Sequence, residues 1–250
     1  MSDTEFHTLP DGRKIAIRHT AGANDRTDPT MVFLPGYMSD MAGSKAAALF
    51  EWARAQGRAC LLLDYSGCGQ SPGKFSDSTL SLWRDDVIDL IAAKCPGPVV
   101  LVGSSMGGWL MLLVGLALGE RLAAMVGIAA APDFSDWGYD AAQKARLSRG
   151  ETVFEDNFYG PDPTPTCAKF WHDAQANLLL GGDIAIDCPV RLLHGQNDAD
   201  VPWELSLRLA QHLRSDDIQV TLVKAADHRM SRDDDLALLL GIIARLPFAE

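Results

Sequence analysis

Ser105 stands between two spaced glycines in Gly103-Ser104-Ser105-Met106-Gly107. In this G-x-S-x-G spacing a serine hydroxyl is carried on a sharp strand-to-helix turn and exposed as a nucleophile. Glycine is needed on both sides because the turn is tight and a Cβ there would clash with the neighbouring strand and helix. Ser104 does not fit the pattern, since it directly follows the first glycine. A serine alone is a poor nucleophile, so the chain must also supply a base and a group that orients the base. Asp198, in His194-Gly195-Gln196-Asn197-Asp198-Ala199-Asp200-Val201-Pro202, and His228, in Asp227-His228, occur downstream in the order acid, then histidine. Asp200 competes with Asp198, but the spacing to Gly195 and Pro202 favours Asp198. A tetrahedral intermediate would also need donors for its oxyanion. The backbone N–H groups of Met106 and of Tyr37, in Pro35-Gly36-Tyr37, are assigned that role. The chemistry expected is acyl transfer to Ser105 followed by hydrolysis, with no metal or organic cofactor.

These residues are useful only if the fold brings them together, and the pattern of elements suggests how. Pro98 to Val102 is a short β-branched run that reads as a buried strand leading into the elbow. The run from Gly108 to Val114 is too long and too Leu-rich for another strand and reads as a helix. Further strands are expected at Lys14–His19, Thr30–Leu34, 59–63, Met125–Ile128, Val190–Leu193 and Gln219–Val223. Helices are expected over 45–56, after a cap at Asp77 or Ser78, from Pro202, and after a cap at Ser231, with Asp233, Asp234 and Asp235 in the last helix's first turn. This alternation predicts an α/β fold with a mostly parallel, doubly wound sheet. Asp198 and His228 both follow strands and so project onto the sheet edge that carries Ser105, where ligands of such sheets bind. His194 precedes its loop and is expected to be buried and bonded locally. His7, His19 and His212 read as solvated or structural, while His172 is a candidate for the pocket.

Composition sets limits. The 250 residues, 47% hydrophobic, suffice for one large domain with a full core. A net charge of −11 disfavours nucleic acid and anionic membrane as partners. No apolar run is long enough for a membrane span. The five cysteines are widely spaced with no C-x-x-C pair, which points to a reducing compartment rather than to a disulfide framework or zinc site. The first residues include Asp3 and Glu5 and lack an apolar stretch, so a cytoplasmic location is expected. The turn at Asp64–Ser71 reads as structural, because no nucleotide-binding glycine motif is present.

From Pro132 to Asp187 the alternation stops, and Trp137, Tyr139, Phe154, Phe158, Tyr159, Phe170 and Trp171 accumulate. A structureless loop of that length inside a domain would be unusual. We expect a small helical cap inserted after the sixth strand, residues 132–187, with residues 1–131 and 188–250 forming the core. Its aromatics would either bind an apolar acyl chain or aromatic acid, or form a small core of the cap's own.

Pro35-Gly36-Tyr37, Asp64-Tyr65-Ser66-Gly67, the elbow with Gly108-Trp109-Leu110-Met111-Leu112, Cys188 to Gly195, Val201-Pro202-Trp203 and Asp227-His228-Arg229-Met230 together resemble the α/β-hydrolase superfamily. Within it they look most like the acyl-glucuronide esterases and palmitoyl-protein thioesterases. The resemblance runs from about Thr30 to the C-terminus and is weakest in the cap. It implies a serine hydrolase of acyl esters or thioesters with Ser105, Asp198 and His228 as triad; where the mitochondrial members carry a transit peptide this chain shows none, so a bacterial, cytosolic relative is expected. Many relatives have His-Gly where this chain has Pro35-Gly36. Trp109 and Arg229 are candidate substrate contacts; Arg229 either pairs with Asp227 or the acidic run Asp233 to Asp235 and pins the histidine loop, or meets a carboxylate-bearing leaving group. A carbon–carbon bond hydrolase of aromatic catabolism uses the same triad and is the nearest enzymatic alternative. A non-catalytic binding module is the other, though it would usually have lost a triad member. Dehalogenases and epoxide hydrolases need Asp at the elbow.

Overall fold

Strands buried on both faces occupy the middle of a sheet, and the elbow strand is one of them. In the computed structural model, which describes residues 4–23, 27–157 and 160–247, β5 (Val99–Ser104) has no exposed position. It lies between β3 (Thr30–Leu34) and β6 (Leu122–Ile128). The eight-stranded sheet runs β1 (Glu5–Thr8), β2 (Lys14–Thr20), β4 (Cys60–Leu63), β3, β5, β6, β9 (Val190–Gly195), β10 (Ile218–Val223). Pairing is parallel from β4 to β10, while β1 and β2 join antiparallel at one edge.

Side chains alternate between the two faces. Val32, Leu34, Val99 and Leu101 enter one core with α2 (Leu80–Lys94), α3 (Met106–Leu118) and α7 (Glu204–His212). Met31, Phe33, Val100 and Val102 enter the other, with α1 (Ser44–Ala55) and α8 (Asp233–Ile243). The sheet is therefore wound on both faces, as the alternation predicts. Two helix starts differ from expectation. Thr79 caps α2, accepting the Leu82 N–H at 3.1 Å, whereas the Ser78 hydroxyl donates to the Ser66 carbonyl. Arg232, not Ser231, precedes α8, and the Asp235 carboxylate reaches back to its N–H at 3.2 Å. An acid at the third helical position performs the capping there. The Asp64 turn is structural as expected: its carboxylate accepts the N–H groups of Met41 and Gln70 at 2.7 and 2.8 Å.

Between β6 and β9 the chain forms α4 (Phe134–Trp137), α5 (Ala141–Ser148), an antiparallel hairpin of β7 (Val153–Glu155) and β8 (Thr164–Thr166), and α6 (Ala168–Gln175). Tyr139, Leu147 and Val153 make a satellite core against Phe134 and Trp171. Phe170 and Ala174 instead pack into the main core. Buried Asp133 ties the two ends of the segment together by accepting the N–H groups of Leu179 and Leu180 at 2.8 and 2.7 Å. Phe158 and Tyr159 lie outside the described residues. Among the described residues, no helix is long and apolar enough to cross a membrane.

Candidate active site

Ser105 occupies the turn between β5 and α3 with φ 55° and ψ −120°, a conformation that side-chain-bearing residues rarely adopt and that persists only where the surroundings impose it. Here the surroundings are specific. The Ser105 N–H donates to the Ile128 carbonyl at 2.9 Å, and its own carbonyl accepts from Gly108 and Ala131 at 2.8 and 3.0 Å. A Cβ on Gly103 would stand 2.3 Å from the Gly107 carbonyl oxygen, and one on Gly107 only 2.0 Å from that of Leu34. Both glycines of the elbow are thus required by backbone that cannot retreat.

The loops after β9 and β10 converge on this turn. His228 Nε2 lies 3.1 Å from Ser105 Oγ, and His228 Nδ1 lies 2.8 Å from Asp198 Oδ2. With Nδ1–H donating to the carboxylate, Nε2 is left to accept from the serine hydroxyl. The loop also solves the problem of a buried acid. The Asp198 side chain has no exposure, yet Oδ1 accepts the N–H groups of Asp200 and Val201 at 2.9 and 2.8 Å. Burial pushes this carboxyl up, but hydrogen bonds from His194 and His228, with the charge of His228 and the Val201 N–H, outweigh it and hold the group well below the usual carboxylate range. It is held as the anion. Asp200, its competitor in the sequence, contributes its backbone N–H here.

Tyr37 and Met106 border the same space. Met106 is the first residue of α3, where a helical N–H has no partner within the helix. Gly36 abuts the nucleophile so closely that a Cβ on it would lie 3.3 Å from that of Ser105. Tyr65 Oη donates to the Pro35 carbonyl at 3.0 Å, and Tyr37 Oη donates to that of Pro165 at 2.9 Å. The loop carrying the Tyr37 N–H is thereby fixed from both sides.

A cavity of about 780 Å³ opens over Ser105 and His228. Tyr37 and Met38 form one wall, and Phe134, Trp137, Tyr139 and Thr166 of the segment after β6 form another. Charged Lys45, Glu155, Asp200 and Arg229 also line it. One expectation needs correction. Trp109 has no exposed surface and is absent from the cavity wall; its Nε1–H donates to the Asn177 carbonyl at 3.1 Å and its ring meets Phe134 edge-on. A buried indole needs an acceptor for its N–H, and that acceptor lies in the segment 132–187 rather than at the substrate. His172 is exposed beside Trp171 and away from the cavity. Of the aromatics in the segment, Trp137 and Tyr139 reach the cavity, Phe154 faces solvent, and Phe170 is buried with Tyr37 and Trp83.

Arg229 lines the cavity and is exposed. Its backbone N–H donates to Asp227 Oδ1 at 3.1 Å, and at the start of α8 Asp235 takes the Arg232 guanidinium at 2.7 Å. The sequence gives no sign of Lys45, whose ammonium donates to the Arg229 carbonyl and so pins the histidine loop to α1. Its burial, reinforced by the Arg229 charge, pulls its pKa down to about 8. An amphipathic helix offers no mark that distinguishes such a lysine from a solvated one.

Comparison with known proteins agrees with this architecture. The profile of the alpha/beta hydrolase family matches residues 31–239, and the chain belongs to that family; it is a hydrolase. The chain is 36% identical over 247 residues to human "Palmitoyl-protein thioesterase ABHD10, mitochondrial", spanning 95% of this chain and 78% of that protein. Among solved structures, one from Agrobacterium vitis S4 superposes with a TM-score of 0.90 at 35% identity, covering 97% of both chains. Mouse alpha/beta hydrolase domain-containing protein 10 superposes with a TM-score of 0.88 at 34% identity, again over 97% of each chain.

Proposed function

We propose that this protein is a serine hydrolase of acyl esters and thioesters, with Ser105 as nucleophile, His228 as general base and Asp198 as the group that orients and balances it. The observation that carries the reading is the unbroken relay from Ser105 Oγ through both nitrogens of His228 to Asp198 Oδ2, at 3.1 and 2.8 Å. His228 takes the serine proton as Oγ attacks the acyl carbonyl, then returns it to the departing alcohol or thiol. Water, activated by the same histidine, releases the acid from the acyl-enzyme. The N–H groups of Met106 and Tyr37 receive the oxyanion. The likeness to the human thioesterase supports the thioester half of the reading. Residues 132–187 act as a cap, since they supply one wall of the cavity. The five free cysteines support a reducing compartment, which we take to be the cytoplasm.

Labelling with a fluorophosphonate probe tests the nucleophile. Labelling that survives Ser105→Ala, or fails in the native protein, would remove this mechanism. Turnover of a vinylogous diketone in preference to acyl esters would instead favour a carbon–carbon bond hydrolase.

The apolar wall of Phe134, Trp137 and Tyr139 predicts that kcat/KM on p-nitrophenyl and S-acyl substrates rises from acetyl towards octanoyl. A steady fall along the series would mean a pocket for short acyl groups. Arg229 is assigned to a carboxylate on the leaving group, where a guanidinium binds in a bidentate way. Arg229→Gln should therefore lower kcat/KM on an acyl-glucuronide by about 10- to 100-fold while sparing a neutral ester of the same acid. An equal loss on both would limit Arg229 to holding the loop.

A further inference from the structure

The acid of the proposed triad has a second imidazole on it. His194, the penultimate residue of β9, has no exposed surface. Its Nε2 lies 3.0 Å from Asp198 Oδ2, the same oxygen that receives His228 Nδ1, and 3.1 Å from the Val201 carbonyl. Its Nδ1 lies 2.7 Å from Ser206 Oγ on α7. Both groups facing Nε2 accept only, so the proton resides on Nε2 and the Ser206 hydroxyl donates to Nδ1. The two acceptors at Nε2 thus fix the tautomer, and Ser206 holds the ring from α7.

Resting on the triad reading above, we propose that His194 is a positioning residue for catalysis: locked by Ser206, it donates to Asp198 Oδ2 in parallel with His228 and sets how strongly Asp198 holds the base. Two consequences follow from the shared oxygen. Asp198 is aimed by four N–H donors, two on each oxygen, so its carboxylate cannot rotate away from His228. In addition, the charge that Asp198 presents to His228 is partly spent on His194. A carboxylate that has lost a donor binds the imidazolium more tightly, so the base should keep its proton to higher pH. The other charged groups around His228 are Asp200, whose carboxylate lies within 4.8 Å of both Asp198 and His228, Asp227 and Arg229 on its own loop, and Lys45 on α1. All four remain in every variant below, so differences among the variants report on His194.

Gln places its amide nitrogen where His194 carries Nε2, whereas Asn reaches only as far as Ser206. His194→Gln should keep kcat within about threefold of the native protein, with an unmoved pH profile. His194→Asn should lower kcat by about 10- to 100-fold with little change in KM. The acid limb of its kcat/KM profile should move upward by about half a pH unit or more. Ser206→Ala, which removes the donor that holds the ring at Nδ1 without touching the loop, should weaken the His194–Asp198 bond and shift the limb in the same direction by less, and it provides the reading if His194→Asn does not fold. Should the Asn and Gln variants both be native-like, or be equally impaired with unmoved profiles, His194 is only a packing residue and the proposal fails. Ser105→Ala separates this from failure of the triad itself. Native-like activity and profile there would overturn both assignments, whereas lost activity there with an unmoved profile in His194→Asn and Ser206→Ala would overturn that of His194 alone.

Discussion

Ser105→Ala is expected to lower kcat on activated acyl esters by between about 10³- and 10⁶-fold, with the fold unchanged. The substitution removes one oxygen from a residue whose strained backbone is held by other bonds, to Ile128, Gly108 and Ala131. Alanine keeps the same Cβ and tolerates the same φ of 55° no worse than serine does. What disappears is the atom 3.1 Å from His228 Nε2. The activity that remains should come from the oxyanion donors and substrate binding alone, which elsewhere amount to roughly 10³- to 10⁴-fold over water. The measurement is steady-state turnover of p-nitrophenyl esters, alongside thermal melting. Activity within tenfold of the native protein, at unchanged Tm, would mean that another residue attacks the substrate.

The largest stability effect is expected two residues further on. In Gly107→Ala the new methyl would meet the carbonyl oxygens of Leu34 and Pro35 at 2.0 and 2.5 Å. Both belong to the backbone at the end of β3, a strand buried along its whole length. Neither can move without displacing the sheet or the loop that bears Tyr37. The cost should exceed about 4 kcal/mol, placing it among the severe core substitutions. For a chain of this size Tm should then fall by roughly 10 °C or more. Gly241→Ala provides the contrast. Gly241 lies inside α8 with nothing within 4 Å of the added carbon. Relief of glycine's backbone entropy should stabilise that variant by about 0.5–1 kcal/mol. If both variants melt alike, the elbow is softer than its geometry indicates.

The proposed triad was legible because each member belongs to a local signature. Ser105 has its glycines, Asp198 lies between Gly195 and Pro202, and His228 follows a strand. The strands themselves were visible as apolar runs, and their observed limits differ by only a few residues: Val190–Leu193 extends to Gly195, and Met125–Ile128 begins at Leu122. The hairpin of β7 and β8 carried no such signal. Its three-residue strands pair antiparallel, and one of them contains Pro165. Strands that short are stabilised by what they pack against rather than by their own pattern.

By itself, then, the sequence determined the class of fold, the two-sided winding of the sheet and the three residues whose types and order suit acyl transfer. All of these are carried by periodicity or by fixed spacing along the chain. Tertiary structure decided everything that depends on which distant side chains meet. Trp109, adjacent to the elbow in sequence, is turned to the Asn177 carbonyl and away from the cavity. Lys45 and Arg229, 184 residues apart, are joined at the rim of the site. His194 is only four residues from Asp198, yet its bond to that acid exists because the loop folds back over the strand end and Ser206 fixes the ring. Burial and hydrogen-bond pairing are properties of a packed three-dimensional neighbourhood, and a residue's type along the chain does not specify which neighbour will supply its partner.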